Sequence, residues 1–446
     1  MHPFASYVLR SYYKETGWNE DNLYANLTRS SNALLDFSVP RGLHFGISKS
    51  PNPLFKTTYS MNALPSLNGS VGYIFTSCNL DVKGSGDVRF KDMVDRFKVF
   101  DRPRRPEGKE EEWLAGERVD TRDYLLYGRI YVPTGRLDAL YSTRIMPTLQ
   151  GMVAAISDPR IPLLSEKSRS HAPGSNVMFS LQHDTGKVCT EYTWSAEDGM
   201  WGVRSLYNFG RIGVPVESST EEGEKAGRSP LARQNGVKVK RVDEEDAMEG
   251  GLRGRVSVGG EFYFSAKEKS AGVSTGIRFT TLPDATPPSF QVPTLSAAGP
   301  STHRGPPSQP PTTITALFNP MLGHISGAYA ARVSRDLALA SRFDFNVYSY
   351  ESEWSIGAEW WQRRSKVRHV PSPSDGSNSG LCSISELADE VQGVVKAKVS
   401  TTTDVSLLWE GRLRNMLVSL GVVSNLSSRS KPIKSIGLEL SYFSSG

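Results

Sequence analysis

The sequence lacks most of what defines an enzyme or a helical membrane protein. Its 446 residues hold no run of 18 apolar side chains, so no α-helix of the kind that crosses a bilayer is expected. Cysteine is scarce. Cys78, Cys189 and Cys382 are odd in number and far apart, which argues against a disulfide framework and fits synthesis in a reducing compartment. The Asn-x-Ser/Thr matches at Asn26, Asn68 and Asn425 then read as coincidence. The seven histidines stand at no metal-ligand spacing, and neither a P-loop nor a nucleophile elbow is present. Gly84-Ser85-Gly86 lacks the strand–turn–helix context of a dinucleotide fingerprint. The expectation is a protein that is not an enzyme, with no catalytic, metal-binding or cofactor-binding residues.

Strong charge is also missing. The formal net charge of +5 is spread along the chain and gives no support for nucleic-acid binding. The N-terminus, MHPFASYVLRSYYKETGW, has neither a secretory core nor the arginine-rich, acid-poor character of a cleaved presequence. Hydrophobic residues make up only 38%, low for large buried cores but suited to a barrel that needs apolar side chains on its outside alone.

Alternation is abundant. It is cleanest in the last stretch, KSIGLELSYF (434–443), where Ile436, Leu438, Leu440 and Tyr442 share one face and Ser435, Gly437, Glu439 and Ser441 the other. Ser435, Gly437, Leu440 and Tyr442 also fill the fixed places of a pattern resembling the C-terminal β-signal by which outer-membrane barrels present their final strand for insertion. Period-two segments recur upstream, among them Leu43–Ser48, Val71–Thr76, Leu125–Val132, Val188–Ser195, Trp201–Phe209, Arg255–Ser265, Val273–Thr280 and Leu337–Val347. Arg129, Arg204, Arg255, Arg278, Arg342, Glu191, Glu261 and Asp344 all fall opposite the larger apolar set. A cationic side chain facing lipid costs roughly 2–4 kcal/mol at midplane, so this segregation is what a membrane barrel requires. A soluble sandwich segregates too, with inside and outside exchanged. Aromatics near strand ends (Tyr124, Trp194, Trp201, Tyr207, Trp409 and Tyr442) resemble interface girdles and favour the barrel.

Two domains of unequal size follow. Residues 1–32 form an N-terminal helical segment in which Phe4, Val8 and Tyr12 repeat at helical spacing up to Thr16-Gly17. Asn19 caps a further turn that presents Leu23 and Leu27. Its apolar area is too small to stand alone, and a barrel lumen is its natural host. Residues 33–446 form the barrel, interrupted by long loops near 101–122, 215–250, 283–312 and 365–390 that are rich in charge, proline or serine.

Inward charges in a five-to-three basic excess would make an open lumen favour anions; in the alternative they pair with each other and with the N-terminal segment. Tyr73 and Phe75 form an aromatic pair on one face, and Tyr329 stands among small residues in GHISGAYAAR. These three are candidates for a partner-binding surface, against the plainer reading of a lipid-facing girdle.

Long ordered stretches carry a resemblance: YVLRSYYKETGWNEDNLYANLTRSSNALLDFSVPRGLHFGIS, LYGRIYVPTGRLDALYSTR, FNPMLGHISGAYAAR, RFDFNVYSYESEWSIGAEWW, LLWEGRLRNMLVSLGVV and IGLELSY. Together they resemble the fungal mitochondrial distribution and morphology protein 10 family over nearly the whole chain outside the four insertions. The resemblance implies a closed transmembrane β-barrel of the mitochondrial porin type, with about 19 strands, in the mitochondrial outer membrane at endoplasmic reticulum (ER) contact sites. It implies two sets of partners besides membrane lipid. One is the other subunits of the ER–mitochondria encounter structure, tied to phospholipid exchange and to mitochondrial morphology and distribution. The other is the sorting and assembly machinery, which inserts β-barrel proteins. An anion-preferring solute channel of the same membrane is the alternative function.

Overall fold

The computed structural model describes residues 3–80, 82–100, 103–106, 113–114, 117–118, 122–159, 175–210, 254–281, 310–364, 390–402, 404–427 and 432–445. Nineteen strands pair into one closed sheet. They begin with β1 (Gly42–Ser50), β2 (Phe55–Leu64) and β3 (Asn68–Thr76). A separate two-residue hairpin follows, β4 (Trp113–Leu114) with β5 (Glu117–Arg118). The wall resumes with β6 (Tyr124–Val132), β7 (Leu137–Met146), β8 (Leu149–Ser157), β9 (Ser175–Asp184), β10 (Val188–Ser195) and β11 (Met200–Asn208). It continues through β12 (Gly254–Ser265), β13 (Ser270–Thr281), β14 (Thr312–Asn319), β15 (His324–Arg332) and β16 (Leu337–Asn346). It ends with β17 (Ser352–Arg364), β18 (Glu390–Ser400), β19 (Asp404–Leu413), β20 (Met416–Asn425) and β21 (Ile433–Ser445).

Each wall strand pairs antiparallel with the next, β3 with β6 directly, and β21 returns to β1 in parallel from Gly42↔Gly437 to Ser50↔Ser445. An odd number of alternating strands forces that one parallel pair. Closure leaves no unpaired edge, the condition for a sheet to cross hydrocarbon. The alternation sorts as lipid demands. Leu126, Ile130, Trp201, Val203, Phe262 and Phe343 are exposed on the outer wall, whereas Ser180, Gln182, Ala338 and Ala340 are buried facing inward.

Antiparallel order also sorts the connections. The segments 77–123, 209–253, 282–311 and 365–389 all join strand ends on one rim, the rim where β21 ends. The opposite rim carries mostly short turns, such as those after β2, β6 and β10. Of the four loops expected from sequence, most of 101–122, all of 215–250 and most of 283–312 and 365–390 lie outside the described residues.

The lumen is occupied. Helix α1 (Pro3–Glu15) buries Phe4, Val8, Tyr12 and Tyr13 against inward Ile74, Leu125, Tyr127 and Phe443. A helix of this length is marginal in water, and each fully buried large side chain contributes about 1.5–3 kcal/mol, so docking is what makes it a helix. It stops at a glycine cap. Gly17 has φ +69°, Trp18 N–H donates to Tyr13 O at 2.9 Å, and Gly17 N–H donates to Lys14 O at 3.3 Å. Two 3₁₀ turns follow, with Asn19 Oδ1 accepting from Asp21 N–H at 3.1 Å. Helix α2 (Arg29–Leu35) carries the segment past residue 32, and β1 begins at Gly42.

Between these points the chain crosses the inner wall along a row of inward glycines. A Cβ on Gly259 would stand 2.5 Å from Tyr24 Cδ2, on Gly276 2.5 Å from Leu27 Cδ2, on Gly357 2.8 Å from Leu34 O, on Gly421 2.3 Å from Val39 Cγ1 and on Gly437 2.2 Å from Pro40 O. Residues 24–40 thus lie in a groove of missing side chains. Gly437→Ala meets backbone, whereas Gly421→Ala meets the end of a valine. The expected result is a loss of about 1–3 kcal/mol for Gly437→Ala and a smaller one for Gly421→Ala. Thermal unfolding of refolded protein in detergent, with protease nicking of residues 16–41 as a second readout, checks that order.

Candidate functional site: a filled lumen and an aromatic outer wall

A second segment shares the lumen with the N-terminus. Residues 77–80 and 82–100, to which the sequence assigns no element, leave β3 and turn inward, burying Leu80, Val82, Val88, Phe90, Val94, Phe97 and Phe100. The short helix α3 (Phe90–Met93) sits within this segment. The wall grips it by its backbone. Ser85 N–H donates to Phe443 O at 3.0 Å, Arg412 Nη1 to Gly86 O at 2.9 Å, and Arg332 Nη2 to Phe97 O at 3.2 Å. Ser30 Oγ donates to Lys98 O at 2.7 Å and Lys98 Nζ pairs with Asp21 at 2.9 Å, so the two lumen segments also hold each other.

Lys396 joins all three parts. It is 2% exposed, and its ammonium donates to Ala33 O at 3.0 Å and to Asp95 O. Its cross-strand neighbour Glu359, fully buried, accepts from Phe97 N–H at 3.2 Å and Trp361 Nε1 at 2.6 Å.

All eight predicted lumen charges project inward. Arg204 bridges Glu191 at 3.4 Å and Glu261 at 2.7 Å. Arg342 pairs with Asp344 at 3.0 Å and, at 2.6 Å, with Asp36 of the N-terminal segment. Arg129 donates to Ser70 Oγ at 2.8 Å and to Ser60 Oγ, and stacks on Tyr131. Arg255 is buried on the same wall as Arg278, which is 1% exposed and lies 4.4 Å from the Phe100 ring centroid. A desolvated cation over an aromatic face gains about 2 kcal/mol, less than the several kcal/mol that burying the ion costs. Cys78 Sγ donates to Asp123 Oδ1 at 2.9 Å, Cys189 is buried, and Cys382 lies outside the described residues.

The outer wall carries the aromatics. Phe179, Trp194 and Trp201 meet in sequence as tilted ring pairs at 5.6 and 6.1 Å, and Phe264 stands beside Trp201 in register, a rung across β9–β12 near the short-turn rim. Tyr73 and Phe75 point outward on β3. Tyr73 is 49% exposed and stacks on Phe55 at 5.9 Å; Phe75 meets Tyr124 at 6.1 Å. Tyr329, also 49% exposed, points outward on β15 beside Gly327 and Ala331. Going round the sheet, nine strands separate β3 from β15 one way and eight the other. Tyr73–Phe75 and Tyr329 therefore stand on opposite walls and belong to two surfaces, not one.

The four residues that match the β-signal pattern divide by face in β21. Leu440 and Tyr442 point outward, while Ser435 and Gly437 point inward, Gly437 beneath Pro40. The glycine of the pattern thus has a packing role in the finished barrel, and the lumen segment that follows β3 is the element that alternation could not reveal.

A closed 19-strand wall, apolar outside and crossed internally by an N-terminal helical segment, defines a membrane β-barrel of the mitochondrial porin type. The family model for mitochondrial distribution and morphology protein 10 matches residues 1–386 and 383–445, and the chain belongs to that family. Relatives of that name include proteins from Postia placenta (77% identical), Laccaria bicolor (71%) and Cryptococcus neoformans (42%), with 99–100% of both chains covered. Membership ties the chain to mitochondrial organisation, and the barrel fits a mitochondrial membrane.

Two predictions follow from the lumen contacts. Lys396→Met leaves buried Glu359 with Arg332 as its remaining cationic neighbour and is expected to cost about 3 kcal/mol or more, with Lys396→Met/Glu359→Gln, which keeps an acceptor for Phe97 N–H and Trp361 Nε1, recovering most of it; denaturant titration of the three proteins tests this. Lys91, on α3, has its ammonium pushed down to about 8 by burial first and by neighbouring Arg363, Arg96, Arg332 and Arg335. Its folded value lies below the unfolded one, so the unfolded chain binds more protons between about pH 8 and 10.5 and stability rises with pH there. The unfolding midpoint of the wild type should therefore climb relative to Lys91→Met across that window.

Proposed function

We propose that the protein is a non-enzymatic anchor of the mitochondrial outer membrane that works through its outer wall and rims. In this reading it holds the ER–mitochondria encounter structure at the outer membrane, with consequences for phospholipid exchange, morphology and distribution. It also joins the sorting and assembly machinery during β-barrel insertion. The observation that carries the reading is the occupied lumen: two segments fill it and are bonded to the wall and to each other. A lumen crossed by segments bonded to its wall favours an anchor over a solute channel, since conduction would require those contacts to be released. Paired charges point the same way, because Arg204 and Arg342 already have carboxylate partners.

In this reading each partnership has its own surface, and the placement of Tyr73–Phe75 and Tyr329 on opposite walls supports that division. Exposed aromatics at half exposure are the side chains that anchor protein interfaces. Tyr73→Ala with Phe75→Ala is expected to weaken recovery of tether subunits several-fold without lowering the amount of barrel in the membrane. Tyr329→Ala should leave that recovery intact. Import of labelled protein into mitochondria, followed by native gels and affinity recovery, reads both; unchanged tether recovery from the double variant would remove the β3 surface from the proposal. Large anion-selective steps in planar bilayers would instead support the channel.

A further inference from the structure

Buried polar atoms without a partner are scattered singly over most of the inner wall, as at Ser48 Oγ, Asp184 Oδ2 and Ser435 Oγ, and gather in one place. On β12–β14, Ser257 Oγ donates to Asn208 Oδ1 at 2.6 Å, Thr281 Oγ1 accepts from Thr312 N–H at 3.0 Å, and Thr312 Oγ1 donates to Pro310 O at 2.9 Å. Among these neighbours, Arg278 Nε and Nη1, Thr280 Oγ1 and Thr313 Oγ1 are buried without any hydrogen-bond partner. The exceptions are contiguous. Thr280 and Thr313 are cross-strand partners, and Arg278 lies two residues from Thr280 on the same inward face. Each of the three side chains is 2% exposed or less.

Charge makes the cluster more than a packing defect. Arg255, opposite Thr280 in register, adds a second guanidinium to the patch. Asp21, the carboxylate whose charge reaches Arg278, is already engaged by Arg29 at 2.8 Å and Lys98 at 2.9 Å. Among the described residues no carboxylate hydrogen-bonds Arg278. A water molecule would satisfy hydroxyls but would leave the positive charge uncompensated, whereas an oxyanion satisfies both.

Access is through Phe100. Its ring lies over Arg278 and also lines a lumen cavity of about 910 Å³, bordered by eight basic and five acidic side chains. The electrostatic bias of that cavity draws anions to the ring that covers the site.

We infer that Arg278, Thr280 and Thr313 form a binding site for a phosphate-class oxyanion on the inner wall, with Phe100 as its cover. The site does not depend on the tethering role. Free phosphate and the phosphate of a lipid headgroup share the chemistry, and two probes separate them. Full-length protein in neutral-lipid nanodiscs is titrated with inorganic phosphate, and separately reconstituted with phosphatidic acid as the sole anionic lipid. Thermal midpoint and native mass spectrometry are the readouts. Binding of either probe is expected to raise the midpoint and leave a mass adduct; a response to phosphatidic acid alone identifies the headgroup as the source. Arg278→Met should weaken that binding at least tenfold and, with no anion present, melt no lower than the wild type, because it removes an unpaired buried charge. Thr280→Val/Thr313→Val, nearly isosteric, should also weaken binding and decides the matter if Arg278→Met fails to fold. The inference is overturned if neither probe shifts the midpoint, or if the variants respond as the wild type does.

Discussion

The seam between β1 and β21 is the contact on which the rest depends. Antiparallel pairing carries the sheet from each strand to the next, but nineteen strands can close only by a parallel pair. That seam removes the last edge, and an open edge is what hydrocarbon does not tolerate. It also determines the route of the N-terminus. β1 must start on the rim opposite the end of β21, so a helix docked near Phe443 has to send its chain through the lumen to reach Gly42. The glycines at 421 and 437 are the clearance for that crossing.

Filling the lumen changes what the inward charges do. In a water-filled pore Arg204 and Arg342 would tune selectivity; here they tie carboxylates across strands and, through Asp36, fasten the N-terminal segment. Lys396 does the same for both inner segments by donating to carbonyls. The wall thus acts as a mould for two pieces of chain that lack enough apolar area to fold alone, and its functional surfaces are left on the outside. The buried Arg278–Thr280–Thr313 group is the one described place where this matching of donors to acceptors fails along adjoining residues.

Legibility in the sequence followed contrast. Strands such as β12, β16 and β21 read clearly because charged or polar inward residues alternate with large apolar outward ones. β15 did not, since Ser326, Ala328 and Ala330 face inward against small or mixed outward neighbours, and small residues there are needed to admit α2. β8, with Val153, Ala154, Ala155 and Ile156 in succession, shows no polarity alternation at all. The end of α1 was readable from Thr16-Gly17 because a glycine cap is local chemistry. Helix α2 was not, because its apolar positions answer to Ala330, Ala338 and Ala340 some 300 residues away.

By itself, then, the sequence determined which residues share a face, where α1 stops, and which family the chain resembles, all of which depend on neighbours or on extended similarity. It left undecided which face looks inward, because alternation is symmetric under exchange of inside and outside. Closure of the sheet around α1 broke that symmetry. The tertiary structure alone also decided that residues 77–80 and 82–100 enter the lumen, that the four long connections share a rim, and that Gly437 lies under Pro40. Each of these rests on contacts between distant segments, and those exist only once nineteen strands have closed a wall for the chain to fold against.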